Sequence, residues 1–153
     1  MKQNIITKAD ILVIGIQMRT SNEKAMEDIP KLWNTFFTEN IQENIPNKVN
    51  GNILAIYTDY EGDFTNPYTY ILGCEVSSLM DIPKGMLEIS IPSTRYEIFT
   101  AKGKMPDKIV EMWQHIWSPK INAKRTYMTD FEVYGDKYGC VENSEVEIYI
   151  GVK

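Results

Sequence analysis

The chain has 153 residues, of which 43% are hydrophobic and 24% are charged, and its formal net charge is −5. This length suits one domain with a sizeable core, and the composition is typical of a globular protein in water. The negative charge argues against a nucleic-acid-binding surface, because such surfaces depend on clustered lysine and arginine side chains.

The sequence predicts neither a targeting segment nor a membrane anchor. No apolar run approaches the roughly 20 residues of a membrane span, and the start, MKQNIITKADILVIGIQ, lacks the pattern of a cleaved signal peptide. The two cysteines, Cys74 and Cys140, fit no metal-binding spacing, so we expect reduced thiols, with Cys74 buried in the core. We therefore predict a cytoplasmic protein without a metal or other cofactor.

The apolar pattern predicts two similar series of elements. In the first half, ADILVIGIQMRTS is strand-like, EDIPKLWNTFFTENI is helical, and the strands NILAIYTDY and YTYILGCEV are joined by the turn residues of EGDFTNP. In the second half, GMLEISIPSTRYEIFTAKGK forms one or two strands, MPDKIVEMWQHIWS is helical, and TDFEVYG and EVEIYIGVK form a closing strand pair. This order indicates an α+β fold with antiparallel strands.

Short matches between the halves indicate a duplicated strand-helix-strand-strand unit. IPKLW resembles IVEMW, LAIY lies opposite FEVY, and ILG lies opposite YIG, at offsets of 80, 77 and 78 residues. The matched ends are Trp33 with Trp113, Tyr57 with Tyr134, and Gly73 with Gly151. We predict one domain over residues 1–153, with units at about 9–80 and 85–153 related by pseudo-two-fold symmetry.

Strand alternation sorts the side chains of the predicted sheet onto two faces. One apolar set is expected to face the helices and consists of Leu54, Ile56, Phe131, Val133, Val146, Ile148 and Ile150. The other face then collects tyrosines and acids in a predicted cleft: Tyr57, Tyr134, Tyr149, Glu132 and Glu147.

The two acids of this face differ from the aromatic residues in how they are distributed. By the repeat offsets, Glu132 corresponds to Ala55 and Glu147 to Thr69, so both acids occur only in the second half. A purely architectural role would more readily appear in both units. The alternative for Glu132 is a solvated sheet face, where acids on strands usually lie, and Glu147 fits an exposed position at least as well.

The chain resembles the GyrI-like small-molecule-binding domain, which is the effector-binding domain of AraC- and MerR-type bacterial transcription regulators. The resemblance rests on VIGIQMRTS and IPKLW near the start, AIYTDYEGDFTNPYTYILGCEV in the middle, and YEIFTAKG, WSP, DFEVYG and EVEIYIGVK towards the end. These motifs span almost the whole chain in the order of the family. One departure is Gly151, where relatives often have proline.

The resemblance implies two units around a central cleft, in which an acid neutralises lipophilic cationic ligands among aromatic side chains. By motif position that acid is Glu132, and the aromatic residue of the closing strand is Tyr149. Regulators of these families also carry a helix-turn-helix domain, for which this chain leaves no room. We expect a stand-alone binding domain that is a monomer or a weak homodimer.

Together these arguments predict binding of lipophilic, cationic small molecules for sensing or sequestration. Further candidates for the cleft are the three tryptophans: Trp33, Trp113 and Trp117. Trp33 and Trp113 also fit a plain core role on apolar helical stripes. Two alternatives stay open: a hydrolase of strained electrophiles with Glu132 as general base and Tyr149 assisting, and a protein-binding module like the gyrase-inhibiting relatives.

Overall fold

The computed structural model describes residues 5–135, 138 and 144–153, which form one eight-stranded antiparallel sheet and four helices. The strands are β1 (Ile5–Lys8), β2 (Ile11–Thr20), β3 (Ile53–Thr58), β4 (Tyr68–Glu75), β5 (Leu87–Ile91), β6 (Thr94–Gly103), β7 (Arg125–Tyr134) and β8 (Ser144–Val152). The helices are α1 (Ala25–Thr38), α2 (Ile41–Asn44), α3 (Asp107–Ile116) and α4 (Pro119–Asn122).

The strand order β1-β6-β8-β7-β3-β4-β2-β5 has the symmetry of a duplicated unit. Each half runs strand, strand, helix, helix, strand, strand, and the two halves meet where β3 pairs with β7. The leading strand of each half crosses to the other half, because β1 pairs with β6 and β5 pairs with β2. The predicted α+β fold with duplicated units is confirmed. The first unit has one more strand at its start than predicted, and GMLEISIPSTRYEIFTAKGK forms two strands, which is one of the two alternatives that the pattern left open.

The helices lie on the opposite face of β3 and β7 from the one predicted. Leu32 of α1 and Trp113 of α3 belong to the same buried cluster as Ala55 and Tyr134, whereas Phe131 belongs to a second cluster on the other face. The predicted helix-facing set of Leu54, Ile56, Phe131 and Val133 is therefore wrong. Both faces of these strands are largely buried, so alternation alone does not distinguish the face that receives the helices.

The closing strand β8 does present Val146, Ile148 and Ile150 to the helix face, as predicted. Directly paired residues of antiparallel strands share a face, and Glu132 pairs with Ile148 while Phe131 pairs with Tyr149. The Tyr149 ring accordingly stacks on Phe131 at 4.6 Å between centroids. The prediction that Glu147 and Tyr149 share a face with Glu132 is wrong, because a shift of one residue exchanges the two faces of a strand.

Cys74 lies in β4 with no exposed surface, which confirms its predicted burial. Cys140 lies outside the described residues. Within the described part of the chain, none of the helices has the length and apolar character needed to cross a membrane.

Candidate ligand-binding cavity

A cavity of about 770 Å³ opens between α1, α3 and the helix-facing side of the sheet. Its walls are mainly aromatic and aliphatic, and among the described residues the few non-aromatic polar side chains are Asn22, Gln114, Arg125 and Glu132. The aromatic members are Trp33, Phe37, Tyr57, Tyr60, Phe64, Tyr68, Tyr70, Trp113, Trp117, Tyr134 and Tyr138. This size and lining are those of a small-molecule site with a small number of orienting polar groups.

Glu132 projects from β7 towards this cavity and is only 1% exposed. Its Oε2 atom accepts hydrogen bonds from Trp113 Nε1 at 2.6 Å and from the Tyr57 hydroxyl at 3.2 Å. Its Oε1 atom accepts a hydrogen bond from the Tyr134 hydroxyl at 2.8 Å. Three aromatic side chains thus hold the carboxylate in one orientation.

The electrostatics of Glu132 reflect burial opposed by these hydrogen bonds. Burial raises the pKa of Glu132, and the hydrogen bonds from Trp113, Tyr134 and Tyr57 oppose that change. Burial and the nearby carboxylate raise the pKa of Tyr57 and of Tyr134, so both hydroxyls stay protonated and donate. Among the ion pairs of the described residues, none includes Glu132.

Trp33 and Trp113 are held in place by contacts with tyrosines of the sheet. Trp33 of α1 donates from Nε1 to the Tyr70 hydroxyl at 2.9 Å, and its ring meets that of Tyr134 at 4.9 Å. The Trp113 ring lies 4.9 Å from that of Tyr57. The rings of Trp113, Tyr57 and Tyr134 thus surround Glu132, and the faces of aromatic rings attract cations.

The mouth of the cavity is bordered by the loop that joins β3 and β4. Phe64 of this loop stacks on Trp117 with centroids 5.6 Å apart and ring planes 11° apart. Asn22 accepts from the Tyr68 hydroxyl at 3.1 Å and donates to the Phe64 carbonyl at 2.7 Å. The loop is therefore anchored to the residues that precede α1.

A second buried acid lies two residues before Glu132. Asp130 has no exposed surface, and its Oδ2 atom is 2.7 Å from the guanidinium of Arg125. The Tyr60 hydroxyl donates to the same oxygen at 2.5 Å, and the Gly151 amide donates to Oδ1 at 2.8 Å. Because proline has no amide hydrogen, Gly151 supplies a bond to Asp130 that a proline would not supply.

Most of the site residues predicted from the sequence line this cavity, namely Glu132, Tyr57, Tyr134, Trp33, Trp113 and Trp117. The two exceptions are Glu147, which is exposed, and Tyr149, which stacks on the opposite face of the sheet. The proposed pair of Glu132 and Tyr149 is therefore not brought together.

Several lining residues were missed by the sequence reasoning. Tyr68 and Tyr70 lie on β4 at the alternating spacing that had identified Tyr57, and Tyr70 is the direct partner of Tyr57 across the sheet. Their spacing of two residues was a signal in the sequence that could have found them. Tyr60 and Phe64 lie in the β3–β4 loop, where no periodicity indicates direction. Among the described residues, no group of three or more His, Cys, Asp or Glu side chains is arranged to hold a metal ion.

The duplicated fold and its aromatic cavity define the class of effector-binding domains, in agreement with the resemblance seen in the sequence. Residues 4–152 match the Cass2 family, described as integron-associated effector binding proteins, and the chain belongs to that family.

Two relatives carry the names of transcriptional regulators. YobU, a candidate transcriptional regulator of Bacillus subtilis (strain 168), is 29% identical over 145 residues, which cover 91% of this chain and 90% of YobU. The transcriptional regulator BrlR of Pseudomonas aeruginosa is 32% identical over 90 residues, which cover 56% of this chain and 33% of BrlR.

Solved structures share the fold over the whole chain. An integron cassette protein from the mobile metagenome of Vibrio cholerae is 28% identical, with a TM-score of 0.75 and coverage of 99% of this chain and 95% of that protein. SAV2435, solved with bound tetraphenylphosphonium, is 21% identical, with a TM-score of 0.83 and coverage of 100% and 94%.

Proposed function

We propose that the protein binds lipophilic cationic small molecules in the aromatic cavity, with the carboxylate of Glu132 as the counter-charge. The observation that carries this proposal is the Glu132 carboxylate, which is buried against the cavity, held by three donors and part of no ion pair among the described residues.

A buried carboxylate has lost several kcal/mol of hydration, and hydrogen bonds alone replace only part of it. A cation in the cavity supplies the missing charge. Each aromatic face beside that cation adds about 0.5 to 2 kcal/mol, and the surrounding rings are those of Tyr57, Trp113 and Tyr134. Bulky or delocalised cations fit best, because they lose little hydration when they enter an apolar cavity.

Two comparisons support this proposal. SAV2435, which has the same fold, was solved with a lipophilic cation, and BrlR is a transcriptional regulator. We infer that the protein acts as a sensor or a sequestering module for such ligands in the cytoplasm. The tryptophans of the cavity then provide a signal for measuring binding directly.

Titration with tetraphenylphosphonium should quench the tryptophan fluorescence with an affinity in the micromolar range. Glu132→Gln keeps the shape of the side chain, and the Tyr134 hydroxyl can accept from the new amide group. This variant should weaken tetraphenylphosphonium binding about tenfold or more and leave a neutral tetraphenyl analogue nearly unaffected.

Glu147→Gln is the matched control, since it removes an exposed carboxylate from the opposite face of the sheet. It should change neither affinity. If Glu132→Gln weakened the charged and the neutral ligand equally, charge pairing by Glu132 would be rejected.

The two alternatives from the sequence receive less support. The hydrolase hypothesis paired Glu132 with Tyr149, and the sheet separates these side chains. For a protein-binding module, no contact or surface of the described residues favours a particular partner. We therefore propose ligand binding alone.

A further inference from the structure

We infer that Arg125 makes the cavity selective for cations that carry a single charge. This inference rests on the proposed function, because it concerns which cations the same cavity accepts. Arg125 lines the cavity, although its side chain is only 1% exposed to solvent.

The partners of Arg125 fix its charge at this place. Its guanidinium forms the ion pair with Asp130 at 2.7 Å, and both side chains are fully buried. Asp130 is further occupied by Tyr60 and by the Gly151 amide. Asp130 is not among the residues that line the cavity, so this ion pair presents its positive member, Arg125, to a ligand. Glu132 lines the cavity and forms no ion pair among the described residues.

Arg125 also shares the aromatic surroundings of the proposed ligand. Its guanidinium carbon lies 4.2 Å from the ring centroid of Tyr127 and 5.9 Å from those of Tyr60 and Trp113. Trp113 is the residue that donates to Glu132. One indole thus contacts a resident cation through its face and the free carboxylate through its Nε1 edge.

Among the described residues, the charged side chains that line the cavity are Glu132 and Arg125. With Asp130, the ion partner of Arg125, these groups formally carry one net negative charge. A single ligand cation beside Glu132 balances that charge. A second cationic group within the cavity would meet Arg125 in surroundings that screen charge poorly, where like charges several ångströms apart change an affinity on the order of tenfold. The exposed carboxylate of Asp63 interacts with Arg125 from the loop, but water screens it.

The test compares ethidium and propidium, which share one fluorescent ring system and differ by a second quaternary ammonium group on propidium. Dissociation constants are measured by the fluorescence of each dye. Wild-type protein should bind ethidium on the order of tenfold more tightly than propidium. Arg125→Gln should bring this ratio close to one, and Arg125→Lys, which keeps the charge, should preserve it.

Arg125→Gln leaves Asp130 buried without its ion partner and can therefore impair folding. The double variant Arg125→Gln with Asp130→Asn removes both charges and leaves the net charge of the cavity unchanged. It should keep the ethidium affinity near that of wild type and lose the discrimination against propidium. The single variant Asp130→Asn, which frees the charge of Arg125, should weaken propidium more than ethidium and so increase the ratio.

The decisive quantity is the dissociation constant of propidium divided by that of ethidium. A ratio near one for the wild type, or a ratio that the double variant leaves unchanged, would overturn the role of Arg125. That result would leave the proposed function intact as long as ethidium binding depended on Glu132. If neither dye bound, the proposed function would be overturned together with this inference.

Discussion

Glu132 combines two properties that oppose each other in the ligand-free protein. The carboxylate is fully enclosed, which disfavours its charged form, yet it receives three hydrogen bonds that favour the charged form. Burial is the larger effect, so the pKa of Glu132 lies above its ordinary value. A residue placed this way makes the empty protein less stable than a neutral side chain would, and a bound cation removes that disadvantage.

This balance predicts how stability depends on pH. An ordinary glutamate ionises near pH 4.3, so above that pH the unfolded chain has lost a proton that folded Glu132 still holds. The stability linked to this proton is fully present at lower pH and is lost as pH rises through the higher pKa of the folded protein, by about 1.4 kcal/mol for each pH unit of that window.

Urea unfolding of wild type and Glu132→Gln, measured across this pH range, should show the free energy of unfolding of the wild type falling relative to that of the variant as pH rises. Glu147→Gln should run parallel to the wild type. A difference between wild type and Glu132→Gln that stays constant with pH would contradict the raised pKa.

Among the elements, β2 and β4 pair through two facing glycines. Gly15 and Gly73 are direct partners, and a Cβ atom on Gly15 would lie 2.1 Å from the Leu72 carbonyl oxygen. A Cβ atom on Gly73 would lie 2.4 Å from the Ile14 carbonyl oxygen. Backbone atoms cannot move aside as a flexible side chain can, so these two glycines set the spacing of the strands that support one wall of the cavity.

Gly15→Ala should therefore force β2 away from β4 and lower the free energy of unfolding by about 2 kcal/mol or more. Gly51→Ala is the matched control, because a Cβ atom there meets nothing within 4 Å, and it should change stability by less than about 0.5 kcal/mol. Denaturant unfolding measures both variants. Equal free energies of unfolding for Gly15→Ala and Gly51→Ala would show that β2 and β4 can separate without loss of stability.

Elements were easier to predict than the directions of their side chains. Periods of two and 3.6 residues identified the strands and the helices that carry Trp33 and Trp113, because those periods follow from backbone geometry. The prediction of which face of β3 and β7 receives the helices was wrong, because Ile56 and Phe131 on one face are as buried as Ala55 and Glu132 on the other. The position of Tyr149 depended on the register between β7 and β8, which neither strand specifies by itself.

At the level of the whole molecule, a symmetric frame carries an asymmetric charge. Ala55 and Glu132 are direct partners where β3 and β7 join the two halves, so corresponding positions of the two units meet at the centre of the sheet. The duplication and this correspondence were predictable from sequence matches between the halves. The contributions of Tyr60 and Phe64 were not, because the path of the β3–β4 loop depends on contacts with distant residues such as Asn22.

The same frame offers a second, smaller cavity of about 500 Å³, whose lining includes Gln17, Ile71, Glu88 and Met128. Tyr60 borders both cavities. The two sites differ in chemistry, because Glu132 and the three tryptophans line only the larger one. The location of a bound cation therefore distinguishes the proposed site from this smaller cavity.

A crystal structure of the protein with tetraphenylphosphonium tests the central claim most directly. The account predicts the ligand in the larger cavity, with its phenyl groups against Trp33 and Trp113 and its charge closer to Glu132 than to Arg125. A ligand bound in the smaller cavity, or on the face of Tyr149 and Glu147, would contradict it.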